Sequence, residues 1–164
     1  MQKAIESTHI TKQEKKSIFA VVGVVFNKEG KVLLGMSTLP DELRKDKWCF
    51  PGGGHEKGET EYQTAWREVE EETGISTKPI NIASIIDTDI PGISFVVLMR
   101  TGGQIKMNEE FSDMDWFSID QLPKPIVKQN KQVLTKVLKY LDKDIDEERS
   151  IVRVKKNTIS KGFL

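Results

Sequence analysis

Three glutamates near the middle of the chain have the residue type and the spacing of a divalent-metal site. Glu68, Glu71 and Glu72 lie in the run REVEEE at residues 67–72. In a helix of 3.6 residues per turn, positions i, i+3 and i+4 project from one face. Like charges at this spacing destabilise a helix by roughly 0.2–0.5 kcal/mol per pair. A bound Mg²⁺ ion would offset the repulsion between these glutamates, because it binds carboxylate oxygens and can also coordinate the phosphates of a substrate.

A solvated acidic helix face is the alternative interpretation of these glutamates, and the flanking residues favour the metal site instead. Thr60 and Gln63 predict a capping box at the start of a helix, and Gly74 suits the C′ position at its end. Three glycines at 52–54 precede this helix. Glycines adopt backbone angles closed to other residues, so this turn can bring the backbone close to a metal ion or a phosphate, or simply reverse the chain tightly.

Residues 53–75 resemble the signature of the Nudix family. That pattern is a glycine, five residues, Glu, seven residues, Arg-Glu, an aliphatic residue, any residue, Glu-Glu, any residue, glycine and an aliphatic residue. Every specified position is filled here, by Gly53, Glu59, Arg67, Glu68, Val69, Glu71, Glu72, Gly74 and Ile75. A match at fixed spacing in a predicted loop-and-helix context is far more specific than a lone glycine motif.

The resemblance implies a metal-dependent hydrolase of the diphosphate bond in a nucleoside diphosphate linked to another moiety, which releases a nucleoside monophosphate or another phosphorylated product. The second moiety could belong to ADP-ribose, a nucleotide sugar, a dinucleoside polyphosphate or a nucleoside triphosphate. Mg²⁺, for which Mn²⁺ can substitute, would be bound by the Gly53 carbonyl, Glu68, Glu71 and Glu72. The catalytic residues would include Glu71, Glu72 and Arg67.

Arg67 cannot act as a base, because a guanidinium stays protonated. We expect it to pair with a carboxylate such as Glu59 and to hold the loop and the helix in register. The general base could be Glu72, acting through a water. It could also be a glutamate of the acidic loop near residue 110, since that loop approaches the metal in many members of the family. Glu110, with Glu109 as the other choice, is the matching position and a further metal ligand.

Asp113 is a third choice for this late carboxylate, and an exposed acidic loop is the alternative interpretation of the whole segment. On the substrate side, the polar loop at 37–47 is a surface linker or, by the resemblance, a flank of the substrate. The candidates for substrate contact are Arg44, Lys45, Lys47, Trp48 and Gly52. Trp48 could equally belong to the core. Cys49 is expected to be a small buried residue, because no cationic partner is readable nearby.

Hydrophobic periodicity predicts an α+β protein, and the resemblance sharpens this to a Nudix fold with a mixed β-sheet between helices in an α/β/α sandwich. The first predicted elements are a strand over 17–26, its hairpin partner over 31–36 and a helix over the central motif. Strands over 79–87 and 93–101 follow, and a break at 102–103 ends the second of them. An irregular acidic stretch over 105–115 then leads into an aromatic strand, and a helix over 126–141 comes last.

The predicted domain boundaries follow from these elements: a flexible N-terminal arm at 1–16, the Nudix domain at 17–141 and a C-terminal extension at 142–164.

Composition narrows the remaining classes of function. Basic and acidic residues both total 25, so bulk charge favours neither nucleic acid nor a membrane surface as a partner. No long apolar run or signal-peptide pattern is present, and we expect a cytoplasmic protein. A catalytically silent nucleotide-binding regulator is the alternative function, although the intact signature argues against it. Members of the family are often dimers, so a homodimer is one expected arrangement.

Overall fold

The computed structural model describes residues 17–80, 85–86 and 88–143. Its elements, in chain order, are β1 (Ala20–Phe26), β2 (Val32–Ser37), β3 (Trp48–Cys49), β4 (Gly52–Gly54), α1 (Glu61–Thr73), β5 (Ile75–Pro79), β6 (Ile85–Ile86), β7 (Ile93–Gly103), β8 (Phe111–Phe117), a short 3-10 helix (Ile119–Gln121) and α2 (Lys128–Lys143). Neither of the two described helices is long and apolar enough to span a membrane.

The described strands form one mixed sheet whose central pair, β1 and β7, runs parallel. β2 lies beside β1 and pairs with β3 and β8, whereas β7 pairs with β5 and β6, and all of these contacts are antiparallel. β4 pairs with the first half of β1, with Val22 opposite Gly52. The predicted α+β class, with a mixed sheet and two helices, is therefore confirmed.

Both faces of the sheet are buried, which explains the nearly continuous apolar run in β1. Successive side chains of a strand point to opposite faces. Val25 joins the cluster that contains Val69 of α1, while Val24 joins the cluster that contains Leu134 of α2. A strand covered on both sides needs apolar residues at every position. The two helices thus lie on opposite faces and enclose the sheet.

Helix α1 begins and ends where the sequence predicts. The Thr60 side chain accepts a hydrogen bond from the Gln63 N–H at 3.2 Å, and the Gln63 side chain accepts one from the Thr60 N–H at 2.8 Å. Gly74 ends the helix in the left-handed conformation, with φ of 70°. These bonds satisfy backbone groups that a helix end leaves without intrahelical partners. The helix that carries the candidate ligands is therefore held at both ends.

Three predicted element boundaries are wrong, because strand pairing overrides local sequence signals. A strand was expected over 79–87, but the strand that follows the helix is β5, which starts at Ile75. Within 79–87, the described strand residues are Pro79, the last residue of β5, and the two residues of β6, Ile85–Ile86. Gly102 and Gly103 do not break β7, since they pair with Ser76 and Ile75. The acidic stretch predicted as irregular becomes regular at Phe111, where β8 begins.

The remaining elements agree with the predictions within a few residues. The hairpin of β1 and β2 is confirmed, and its turn is stabilised by the Asn27 side chain, which accepts hydrogen bonds from the N–H groups of Glu29 and Lys31. Helix α2 starts and ends two residues later than predicted. The arm at 1–16 lies outside the described residues, and so does the extension at 142–164 apart from the end of α2.

Candidate active site

Glu72 joins the last turn of α1 to the glycine turn. Its side chain is buried, with 3% of the residue exposed, and its Oε2 accepts a hydrogen bond from the Gly52 N–H at 2.9 Å. Burial, assisted by the neighbouring charges of Glu110 and Glu68 and opposed by the hydrogen bond from Gly52, raises the pKa of Glu72 to about 8. A carboxyl group in this environment gains strongly from a nearby cation.

Glu68 lies one helical turn earlier and packs directly on Gly53. A Cβ atom added at Gly53 would lie 2.5 Å from the Glu68 carboxyl carbon, so the absence of a side chain is what permits this approach. Burial raises the pKa of Glu68, although Arg67 opposes the shift. The Gly53 backbone and the Glu68 carboxylate are thus neighbours, as a shared metal ion would require.

Arg67 connects the loop to the helix through charged hydrogen bonds. Its Nε and Nη2 donate to the two oxygens of Glu59 at 2.7 and 3.0 Å, and its Nη1 donates to Glu68 at 2.7 Å. Nη2 also donates to the Gly54 carbonyl at 3.1 Å. The Arg67 bonds, with one from the Thr64 hydroxyl, lower the pKa of Glu59 to about 2. The predicted pairing of Arg67 with Glu59 is confirmed.

The loop between β7 and β8 brings Glu110 to Glu72. This loop docks on the end of α1, where the N–H groups of Lys106 and Asn108 donate to the carbonyls of Thr73 and Glu72 at 2.8 and 3.1 Å. The side chain of Glu110 then lies close enough to Glu72 for its charge to raise the pKa of Glu72. Glu109 is exposed on the same loop, so the structure favours Glu110 as the late carboxylate.

Glu71 is the member of the predicted trio that stands apart. Its side chain is 62% exposed, and its Oε2 lies 3.5 Å from Arg67 Nη1. The common face predicted for the three glutamates is therefore observed in part: Glu68 and Glu72 gather beside Glu110, and Glu71 lies at the rim. Across residues 17–80, 85–86 and 88–143, no three acidic, histidine or cysteine side chains converge as metal ligands do.

The chemistry of this donor set nevertheless fits a divalent ion. Glu72 is buried and Glu68 is half-buried, the pKa values of both are raised, and the carboxyl group of Glu110 lies near them. A hard cation stabilises the ionised form of such carboxyl groups and so counteracts the rise in pKa that burial causes. The Gly53 carbonyl lies in the same turn.

A cleft of about 300 Å³ opens beside the glycine turn. Gly52 and Gly53 line one end of it, and Arg44 lies at its edge, where Nε and Nη2 contact Asp41 at 2.9 Å. Most of its remaining wall is apolar, contributed by Phe19, Ala20, Val22, Leu43, Phe50, Ile90, Ile93, Phe95 and Val127. The structure thus places two predicted substrate-contact residues, Arg44 and Gly52, beside a cavity large enough for part of a small ligand.

The other predicted substrate contacts lie elsewhere. Trp48 is buried in the core, edge-on to Phe117 with ring centroids 4.8 Å apart, and it is not among the residues that line this cleft. Lys47 donates from Nζ to the carbonyls of Glu42 and Leu43 and braces its own loop. Lys45 is exposed. Cys49 is buried as expected, and burial raises the pKa of its thiol to about 12.

Two polar residues of the cleft were missed by the sequence analysis. Gln129 and Asn130, in the first turn of α2, both line the cavity. A signal was present for Asn130, because it interrupts the apolar stripe formed by Val127, Val133 and Leu134 at helical spacing. A polar side chain on a core-facing helix stripe needs a hydrogen-bond partner, which is either another buried group of the protein or a ligand.

Comparison with known proteins identifies the family. The model of the NUDIX domain matches residues 16–137, which is most of the chain. The chain therefore belongs to the Nudix family, as the resemblance of residues 53–75 predicted.

Two curated relatives are similar over the same region. The chain is 32% identical over 117 residues to the 8-oxo-dGDP phosphatase NUDT18 of Mus musculus, a match that covers 68% of this chain and 36% of the relative. It is 34% identical over 113 residues to an ADP-ribose pyrophosphatase of Methanocaldococcus jannaschii, with 64% of each protein covered. The chain thus spans little more than a third of the length of the mouse relative.

Solved structures share the fold. A UDP-X diphosphatase is 26% identical, with a TM-score of 0.57 over 80% of this chain and 68% of that one. An Ap4A hydrolase of C. elegans has a TM-score of 0.60 over 76% of this chain and 98% of that one. At 20% identity, the second similarity concerns the fold alone.

Proposed function

We propose that this protein is a Nudix pyrophosphohydrolase that cleaves the diphosphate bond of a nucleoside diphosphate linked to another moiety. The observation that carries the proposal is the cluster of Glu68, Glu72 and Glu110 at the glycine turn, next to an open cleft. Burial and the neighbouring charges of Glu110 and Glu68 raise the pKa of Glu72, and carboxyl groups with raised pKa values recur in active sites. Glu68 packs on Gly53 and Glu72 accepts a hydrogen bond from the Gly52 N–H, and we propose that the diphosphate lies at this turn.

The residues that would hold the metal are Glu68, Glu71, Glu72, Glu110 and the Gly53 carbonyl. Mg²⁺ is the expected ion, with Mn²⁺ as a substitute. When bound, it supplies charge neutralisation of the phosphate oxygens and a lower pKa for the attacking water. The same carboxylates must be ionised to bind it, so metal binding and proton release are coupled.

The protein's own groups have distinct roles in this proposal. Arg67 fixes Glu68 and the glycine turn through its bonds to Glu59 and Gly54, and so positions the ligands without touching the substrate. Glu72 and Glu110 are the two candidates for the general base that accepts a proton from the attacking water. The cleft next to Gly52 holds the nucleoside, and Arg44 at its edge is available to a phosphate.

The proposals for substrate, location and assembly rest on family membership rather than on one residue. The relatives are named for 8-oxo-dGDP and ADP-ribose, and both molecules are nucleoside diphosphates or derivatives of one. ADP-ribose-type members of the family carry a proline in a Pro-Gly loop past the signature, and Pro91-Gly92, 16 residues beyond Ile75, resembles it, although Pro-Gly is also an ordinary turn. Ile90 and Ile93, on either side of this turn, line the cleft. We place the enzyme in the cytoplasm and include a homodimer among the assemblies to be measured.

The test is a turnover assay with a matched set of variants on one helix. The full chain is incubated with Mg²⁺ and ADP-ribose, 8-oxo-dGDP, a nucleotide sugar, a dinucleoside polyphosphate or deoxynucleoside triphosphates, and released monophosphate is measured. We expect Glu72→Gln to lower kcat/KM by about 100-fold or more for the substrate that is cleaved, because general base and ligand roles each contribute on this scale. Glu71→Gln should also lower it.

Glu70→Gln is the control, because Glu70 is exposed on the same helix and its replacement makes the same change in charge. Its kcat/KM should equal that of the wild type. Nucleotide binding without any product from the wild type would contradict the enzyme and support the silent regulator. Equal losses in Glu70→Gln and Glu72→Gln would show that the helix charge, rather than the site, controls the rate.

A further inference from the structure

We propose that His55 is a positioning residue, whose ring Nδ1–H holds the buried hydroxyl of Thr64 in the orientation that donates to Glu59. Through Glu59 and Arg67, this contact fixes the Glu68 carboxylate at the glycine turn. The inference rests on the proposed function, in which Glu68 is a metal ligand. His55 and Thr64 themselves occupy positions that the signature leaves unspecified.

The first observation is the environment of the Thr64 hydroxyl. Thr64 lies in α1 and is 0% exposed. Its Oγ1 lies 2.7 Å from Glu59 Oε2, 2.8 Å from His55 Nδ1 and 3.3 Å from the Thr60 carbonyl oxygen. A buried hydroxyl needs protein partners, because water does not satisfy it. Thr64 therefore receives its hydrogen bonds from the loop that precedes the helix and from the start of the helix itself.

The second observation concerns the hydrogen atoms in this group. Arg67 and, to a lesser degree, Thr64 lower the pKa of Glu59 to about 2, so its carboxylate is ionised and can only accept. The Thr60 carbonyl can also only accept. The one hydroxyl hydrogen of Thr64 is thus used by an oxygen, and the contact with Glu59 is the shorter. Since the hydroxyl oxygen is left as the acceptor toward His55, the hydrogen between them belongs to Nδ1.

The third observation is that His55 is held from two sides. It directly follows Gly54, the last residue of β4, and it is half-buried. Its backbone N–H donates to the Phe19 carbonyl at 3.0 Å, just before β1 begins. Its ring contacts Thr64 on α1. One residue therefore ties the end of the glycine turn both to the strand beside it and to the helix that carries the glutamates.

The bonds continue from Glu59 to the candidate metal ligand. Glu59 Oε2 accepts from Thr64 and also from Arg67 Nη2 at 3.0 Å, while Oε1 accepts from Arg67 Nε at 2.7 Å. The guanidinium is planar and rigid, so the orientation of the Glu59 carboxylate determines where Nη1 points. Nη1 donates to Glu68 at 2.7 Å. Loss of the Thr64 bond would let the Glu59 carboxylate turn, and Glu68 would lose its fixed position.

Metal binding without substrate tests the positioning role. Mn²⁺ is titrated into the full chain, and its Kd is measured by calorimetry. We expect the Kd to rise about tenfold in His55→Leu and in Thr64→Val, because residues that orient metal ligands typically change affinity on this scale. The double variant should lose no more than either single one, since both cut the same series of bonds.

Conservative variants separate positioning from packing. In His55→Asn the carboxamide nitrogen can take the place of Nδ1, and Thr64→Ser keeps the hydroxyl, so both should bind Mn²⁺ within about twofold of the wild type. Thr135→Val is the control, because it removes a threonine hydroxyl that donates to the Lys131 carbonyl on α2 at 3.2 Å. Its Kd for Mn²⁺ should not change. Unfolding midpoints show that each variant compared is folded.

The hydrogen on the His55 ring is measured independently of any metal. Nitrogen NMR of the neutral imidazole, at about pH 8.5, distinguishes a ring nitrogen that carries a hydrogen from a bare one. We expect Nδ1 to carry it and Nε2 to be bare in the wild type, with the preference lost in Thr64→Val. The signals of His55 are those that disappear in His55→Asn.

The outcomes that contradict this inference differ from those that contradict the proposed function. A bare Nδ1 in the wild type overturns the inference alone, and so does folded His55→Leu that binds Mn²⁺ as tightly as the wild type. Equal losses in His55→Leu and His55→Asn also overturn it, because they would mean that the ring acts by its shape. A wild type that binds no Mn²⁺ overturns the proposed metal site and the positioning role together. If Thr64→Val does not fold, the two His55 variants and the wild-type spectrum provide the test.

Discussion

The glycine turn and the cleft adjoin each other, yet their polar groups are organised in opposite ways. At the turn, Arg67 directs three nitrogen atoms to Glu59, Glu68 and Gly54, so the charged groups hold one another in place. In the cleft, the carboxamides of Gln129 and Asn130 have unpaired atoms within the described structure. One region is internally bonded, and the other is open to a partner.

The difference assigns separate tasks to the two regions. A site that performs chemistry needs its groups preorganised, and networks of bonds to neighbouring residues provide this. A site that selects a ligand gains discrimination when its polar groups stay unpaired with the wrong one. We therefore expect substitutions at the turn to lower the stability of the protein or its turnover rate with every substrate. Substitutions in the cleft should change the preference among nucleobases.

Among the variants that test this comparison, a pair of neighbouring glycine variants should show the largest effect, on the turnover rate. In Gly53→Ala the new Cβ would meet the Glu68 carboxylate, whereas in Gly54→Ala it would meet nothing within 4 Å. Because the displaced group is the end of a flexible side chain, the fold should persist while Glu68 leaves its position. We expect kcat/KM to fall about 10- to 100-fold in Gly53→Ala, with little change in Gly54→Ala. Similar losses in both variants would contradict a specific role for Glu68.

A smaller effect is expected on the stability of the metal-free protein. The pKa of Glu72 is about 8 in the folded state against an ordinary value of 4.5, so the folded state keeps a proton that the unfolded state has released. Stability contributed by this group is therefore lost as pH rises from about 4.5 to 8. In chelator, Glu72→Gln should be more stable than wild type at pH 8.5 by roughly 1–3 kcal/mol, and the two should converge near pH 4.

Chemical denaturation at the two pH values measures this difference. Addition of Mn²⁺ at pH 8.5 should raise the stability of the wild type more than that of the variant, because bound metal offsets the buried charge. A variant that is less stable than wild type at both pH values would contradict the interpretation of Glu72 as an uncompensated carboxyl.

The smallest expected effect comes from the paired region and has the opposite pH dependence. Arg67 lowers the pKa of Glu59 to about 2 from an ordinary 4.5, so this pair contributes stability above pH 4.5 that is lost as pH falls toward 2. Wild type should exceed Glu59→Gln in unfolding free energy at pH 7, and the difference should vanish near pH 2. A difference that is constant between these pH values would mean that the charge of Glu59 is not what matters.

Local sequence was sufficient for the region whose contacts are local. The capping box, the left-handed Gly74 and the pairing of Arg67 with Glu59 all join residues within about two helical turns, and they appear as predicted. Family membership followed from the same stretch, since the domain match includes it. Spacing in a helix of known pitch determines such neighbours before any tertiary contact forms.

Tertiary structure decided what depends on pairing across the chain. The position of the β7–β8 loop on the end of α1 is what favours Glu110 over Glu109. Trp48 lies in the core because β3 pairs with β2. Asn130 and Phe19 line one cavity although 110 residues separate them along the chain. Sheet register and helix packing determine which distant segments line the same cavity. Both depend on the simultaneous burial of the two faces of the sheet.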